Sequence, residues 1–252
     1  MDSLHLTPAV ITVALSTYLC AGVFKGLSGL GVQAIGVPVL ALVAPLETAI
    51  GLGLLPAFTT SLWQGLWGGH LKAVVRRTWT FLLPCCLTVF FGAALLAAVD
   101  GSRLSFALGV LLCLYASFAI TRPTLPSPGR HELWLSPVLG AVTGVIGGAA
   151  GVLVMPAAPY FQLLRFNRDE LVQAMSLGAV VVMPAIALAL SQNSLLPAPV
   201  QIASLALLAP TFLGLWLGTK IRRWISEAAF RRVFFWLLLG LGAVIALRNL
   251  PL

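Results

Sequence analysis

Residues 22–38 read GVFKGLSGLGVQAIGVP and residues 140–156 read GAVTGVIGGAAGVLVMP. In the first stretch Gly22 is followed by Gly26, Gly29 and Pro38; in the second, Gly140 is followed by Gly144, Gly147 and Pro156. The offsets from the first glycine are 4, 7 and 16 in both, a match at a fixed shift of 118 residues. Each glycine-rich centre lies inside a longer apolar stretch, Pro8–Ala44 and Ser136–Leu164. Either stretch is too long for one straight membrane crossing. The pieces on the two sides of each centre fall short of the roughly 20 residues a crossing needs. Each stretch therefore predicts a broken hairpin that enters the membrane, turns at mid-depth and leaves on the same side.

The rest of the chain fits a membrane setting. Of 252 residues, 60% are hydrophobic and 9% charged, against about 25% charged in a soluble domain. At roughly 20 residues per crossing, the length holds about eight to ten segments and no separate soluble domain. Six further apolar runs predict membrane helices, at about Thr48–Trp67, Trp79–Val99, Leu104–Ile120, Leu171–Leu190, Val200–Thr219 and Val233–Leu247. Pro56, Pro84, Pro184 and Pro210 interrupt them, which membrane helices tolerate because neighbours re-satisfy the freed backbone groups. Thr121–Leu135, with Pro123, Pro126, Pro128 and Gly129, reads as a linker at the midpoint. The expected division is 1–120 as a first repeat, 121–135 as a cytoplasmic linker and 136–252 as a second repeat. Downstream of the hairpins, Pro84 with Gly92 matches Pro210 with Gly218 at a shift of 126, with the extra residues expected between Arg165 and Glu170.

Charge sets the orientation. The net charge of +8 does not point to nucleic acid, because the basic residues cluster at the ends of apolar runs, as orientation signals do. Placing the groups Lys72–Arg77, Arg122–Arg130, Arg165–Arg168 and Lys220–Arg232 in the cytoplasm puts 12 of the 15 basic residues inside. Arg103 and Arg248 fall outside, and Lys25 falls within the membrane. The assignment holds only if each hairpin starts and ends on one side. The expectation is thus an all-α polytopic membrane protein made of two inverted repeats, each a broken, re-entrant hairpin plus three transmembrane helices, an architecture known among transporters. Cys20, Cys85, Cys86 and Cys113 lie in apolar segments without metal-ligand spacing. No basic region precedes Ala9, so no removable signal peptide is expected.

Function is expected at the breaks. The start of a helix leaves unpaired N–H groups with partial positive charge, which suit an anion. Here those ends fall near Gly29, Gly31 and Gln33, and near Gly147, Gly148 and Gly151. Gly22/Gly26 and Gly140/Gly144 read instead as helix-packing positions. Lys25 either faces a polar cavity, as charges inside membranes usually do, or extends its stem to the interface. Ser28, Thr59, Thr60, Ser61, Gln173 and Ser176 are candidate lining residues, although a serine or threonine in a helix often bonds its own backbone. The seven acidic residues all fall at helix ends or in loops. Carriers coupled to protons or sodium often use an intramembrane carboxylate, so passage of the anion down its electrochemical gradient is expected, with export favoured by an inside-negative potential. Gly26-Leu27-Ser28-Gly29 also matches the G-x-S-G pattern of rhomboid proteases, but His5, His70 and His131 lie in loops or at helix ends, away from a helix that would activate the serine. Neither an enzymatic activity nor a cofactor is expected.

The two breaks followed by proline, Gly22 to Pro38 and Gly140 to Pro156, resemble the sulfite exporter TauE/SafE (TSUP) family of membrane permeases. Ala49-Ile50-Gly51, Phe58-Thr59-Thr60-Ser61 and Gly92-Ala93 are similar to it as well. The resemblance implies a multi-pass protein of the bacterial cytoplasmic membrane. It also implies a cargo of small sulfur-containing anions such as sulfite, thiosulfate or organosulfonates. A carboxylate carrier and a non-transporting membrane assembly or sensory partner are the alternatives.

Overall fold

A computed structural model of the chain describes residues 8–29, 31–121, 128–153, 155–221, 224 and 227–250. All regular structure among them is helical: α1 Pro8–Ser28, α2 Gln33–Leu40, α3 Leu46–Leu66, α4 Leu71–Ala98, α5 Gly101–Thr121, α6 Glu132–Ala150, α7 Ala157–Leu163, α8 Arg168–Gln192, α9 Ala198–Ala206, α10 Leu208–Ile221 and α11 Glu227–Arg248. A 3-10 turn, Gly129–His131, leads into α6. Among the described residues, six helical segments are long and apolar enough to cross a membrane, with α9 and α10 counted as one. Helices α3 and α11 match them in length, at 21 and 22 residues. Large apolar side chains cover the outside as well as the core, among them Leu83, Leu87, Phe91, Trp216 and Leu237. Lipid is the solvent that such a surface suits.

Both expected stretches are broken into two helices, but the arms are unequal. The first arms, α1 and α6, have 21 and 19 residues; the second, α2 and α7, have 8 and 7. The expected short first pieces are thus corrected to full-length helices. Each first arm ends at a glycine in the left-handed region, Gly29 at φ 75° and Gly151 at φ 70°, a conformation that costs a side chain and that glycine adopts freely. Gly29 N–H closes the last turn onto Lys25 O, and Gly151 N–H onto Gly147 O, both at 2.8 Å.

These two glycines lie 122 residues apart, which corrects the shift of 118. Pro45 and Asn167, which precede α3 and α8, are also 122 apart, whereas the starts of α5 and α11, Gly101 and Glu227, are 126 apart. The difference of four is one added turn in α8, which has 25 residues against 21 in α3. It does not lie in the Arg165–Glu170 connection. That connection holds a capping box, in which Asn167 accepts from Glu170 N–H and Glu170 accepts from Asn167 N–H. Pro38, inside α2, and Pro156, at the N-cap of α7, are not equivalent positions. Other limits move too: Lys72, Arg76 and Arg77 belong to the first turns of α4 rather than a loop, and the expected linker yields its last residues to the turn and to α6. Residues 122–127, Arg222 and Arg223 lie outside the described residues.

Packing runs through bare backbone. A Cβ at Gly22 would lie 2.2 Å from Thr211 O, and one at Gly26 would lie 2.5 Å from Leu215 O, so α1 runs parallel to α10 in direct contact. Helix α6 meets α4 the same way, through Gly144 on Cys85 O and Gly148 on Val89 O, each at 2.1 Å. Corresponding helices run in opposite directions. Gly51 faces Leu196 while Gly68 faces Gln173, so α3 and α8 are antiparallel; Gly109 faces Ala246 while Cys113 Sγ contacts Leu239 O, so α5 and α11 are too. Proline costs are offset locally. Pro56 deprives Leu52 O of its helical donor, and Ser204 Oγ on α9 donates to that oxygen at 2.8 Å.

Two substitutions separate packing from mere glycine content. Gly148→Ala drives a Cβ into the α4 backbone, whereas a Cβ at Gly31 meets nothing within 4 Å. Thermal melts in detergent are expected to show a loss of about 1–3 kcal/mol for Gly148→Ala and no loss at Gly31→Ala.

Candidate functional site

Lys25 lies on the face of α1 that turns toward α3 and is 1% exposed. Its ammonium donates to Ser61 Oγ at 2.6 Å. No carboxylate among the described residues reaches it; the ion pair found among them is Arg77–Glu132, at 3.2 Å on the surface. Glu47, Glu132, Asp169 and Glu170 instead occupy the first turns of α3, α6 and α8, where the helix dipole favours them. A buried ammonium needs hydrogen bonds or a counter-charge to offset its desolvation. Ser61 supplies one of the former and nothing described supplies the latter.

A line of polar side chains continues from Lys25 along α3 and α8. Ser176 Oγ bonds Gln64 Oε1 at 3.4 Å. Gln173 donates to Gly65 O at 2.7 Å and accepts from His70 N–H at 2.9 Å, clamping the turn between α3 and α4. In the other direction, toward the middle of the bundle, Gln33 at the start of α2 donates to Met183 Sδ on α8 at 3.2 Å. Tyr18 lies beside it: Tyr18 Oη and Gln33 Oε1 both approach the position a Cβ on Gly53 would take, at 2.3 and 2.8 Å. Both oxygens are buried without a hydrogen-bond partner.

The expected site residues divide. Lys25, Gln33, Gln173 and Ser176 are all buried on this line. Ser28, Thr59 and Thr60 bond backbone carbonyls one turn back, Phe24, Leu55 and Pro56, as hydroxyls in helices often do. The break glycines do not meet. Gly29 packs on Val172, one turn into α8, and Gly151 packs on Ile50, one turn into α3. Because α3 and α8 are antiparallel, these places lie at opposite ends of the pair. The short helices do start near the middle: Gln33 contacts Met183, and Ala157 shares a cavity wall with Gly178 and Val182. Gly147 abuts Leu153, and Gly148 is a packing glycine on α4; Gly31 has open space. The second half thus brings apolar groups to the centre where the first brings Gln33 and Lys25. Sequence reading missed Tyr18 and Gln64. Tyr18 is seven residues before Lys25, two turns along the same face of α1, which was the available signal.

A bundle of apolar-surfaced helices of membrane-crossing length defines a multi-pass membrane protein. The chain matches the sulfite exporter TauE/SafE family over residues 14–245, nearly its whole length, and belongs to that family. No curated protein and no solved structure matches it.

Gln173 holds two backbone groups at once, so Gln173→Leu leaves both unpaired. A loss of about 1–3 kcal/mol is expected in thermal denaturation.

Proposed function

We propose that this protein carries small sulfur-containing anions, such as sulfite, thiosulfate or organosulfonates, across the bacterial cytoplasmic membrane, with Lys25 as the counter-charge. The observation that carries this reading is the Lys25–Ser61 contact: a buried ammonium with a hydroxyl partner and no carboxylate among the described residues. An anion beside it supplies the missing charge, and Ser61 adds a hydroxyl to the same place. The polar line through Gln64, Ser176 and Gln173 then forms the route to one face. That face is the cytoplasmic one in this reading. Arg77, near the start of α4, pairs with Glu132 and lies over Phe166 at 5.4 Å, which gathers three of the basic connections at one end. The antiparallel course of corresponding helices supports the two halves as inverted repeats across the membrane.

The direction is export in this reading. No buried carboxylate accompanies Lys25 among the described residues, so the anion moves down its own gradient, and an inside-negative potential drives it outward. In reconstituted vesicles, flux is expected to follow the anion gradient and the membrane potential. Flux strictly dependent on a proton or sodium gradient would sink this part of the reading.

Lys25→Met tests the site. It fills the same volume without charge, and apolar replacement of a buried ion is often neutral or stabilising, so the fold is expected to persist. Binding of sulfite, thiosulfate and sulfonates, followed by thermal shift with carboxylates alongside, is expected to fall by at least about 100-fold, the scale of losing a buried charged hydrogen bond. Unchanged binding across the panel places the anion elsewhere.

A further inference from the structure

The Tyr18–Gln33 pair lies two helical turns from Lys25, about 10 Å along α1, and carries no charge. Tyr18 is 0% exposed and Gln33 3% exposed. Gln33 Nε2 donates to Met183 Sδ, and Oε1, an acceptor, and the hydroxyl of Tyr18 both reach over the bare backbone of Gly53. Neither oxygen has a partner, and an unpaired buried polar atom is costly. A cargo group that both accepts and donates satisfies the two together: it takes the Tyr18 proton donor and gives a hydrogen bond to Gln33 Oε1. A hydroxyl, or the protonated oxygen of an oxyanion, has this property. A fully deprotonated oxygen satisfies Tyr18 but meets Gln33 Oε1 as acceptor against acceptor.

Charge points the same way. Lys25 is the one buried charged residue among those described. One ammonium balances one negative charge, and a dianion on this path carries a second, uncompensated charge through a low-dielectric interior. We propose that Tyr18 and Gln33, over Gly53, form a midplane station that selects singly charged anions bearing a hydrogen-bond donor and rejects dianions. The proposal rests on Lys25 as the anion's counter-charge and narrows the cargo named above: the protonated monoanion of sulfite and hydroxylated organosulfonates fit the station, and thiosulfate, a dianion at neutral pH, does not.

Titration of purified protein with three probes tests it: 2-hydroxyethanesulfonate, a monoanion with a hydroxyl; methanesulfonate, a monoanion without one; and sulfate, a dianion. Wild-type protein is expected to bind 2-hydroxyethanesulfonate about 5-fold tighter than methanesulfonate, the scale of one net hydrogen bond. Sulfate is expected to bind at least about 10-fold weaker than methanesulfonate. Tyr18→Phe and Gln33→Met each bring the two sulfonates to within about 2-fold of each other while methanesulfonate binding persists. Sulfate binding as tight as methanesulfonate in the wild type overturns the proposal, and that comparison needs no variant. An unchanged sulfonate ratio in both variants overturns it as well. Lys25→Met keeps the two readings apart. If it abolishes binding of every probe while the sulfonate ratio proves insensitive to Tyr18 and Gln33, the anion site stands and the midplane station falls. If it leaves all binding intact, both fall.

Discussion

An ammonium enclosed in a helical bundle, with a serine hydroxyl as its partner and no carboxylate beside it among the described residues, is the constraint on which the functional reading depends. Burying such a charge costs several kcal/mol even after relaxation. The bundle tolerates it at Lys25 because α1 is held in place by other means. Gly22 and Gly26 seat α1 directly on the α10 backbone, and close approach of this kind drives association where lipid removes the hydrophobic incentive. Helix α3 is fixed against α8 by Gln173 and against α9 by Ser204. Lys25 and Ser61 are therefore brought together by two helices that are anchored through other residues.

The asymmetry between the halves follows from the same arrangement. At the shift of 122, Lys25 corresponds to Gly147 and Tyr18 to Gly140, so the second half carries glycines where the first carries polar side chains. Leu153 and Ile50 fill the space around the second break. The two halves share the packing of their long helices but not the polar line. A site on the axis between two equal halves would need matching groups from both. The polar line here belongs to α1, α2 and α3 of the first half, with α8 of the second as its facing wall.

Much of this was legible in the sequence, and the errors are instructive. Membrane helices follow from composition, and the hairpins follow from glycine density, because left-handed backbone at Gly29 and Gly151 leaves a residue-type trace. The packing role of Gly22, Gly26 and Gly144 was legible from four-residue spacing. The register was misread because glycines serve two purposes: Gly147 looks like the partner of Gly29 by spacing, but the reversal falls one turn later, at Gly151. The depth of the turns was misread because the lengths of α1 and α6 were. Apolar residues continue to both glycines, and nothing in an apolar run marks depth. Lys25 stood out because charge is rare in such a chain. Its partner, Ser61, stood beside Thr59 and Thr60, and only the helix geometry separates the hydroxyl that faces Lys25 from the two that bond their own backbone. Tyr18 left no trace beyond its position on the Lys25 face, since a tyrosine in a membrane helix is ordinary.

The central claim is that a cargo anion rests against Lys25. Locating a bound anion by the anomalous scattering of selenium, in crystals of the protein soaked with selenite, tests it most directly. The account predicts a selenium peak within hydrogen-bonding reach of Lys25 Nζ and Ser61 Oγ. A single peak elsewhere, beside Gly151 or in the polar cavity lined by Glu47, Ser102 and Asn249, with none at Lys25, would contradict it.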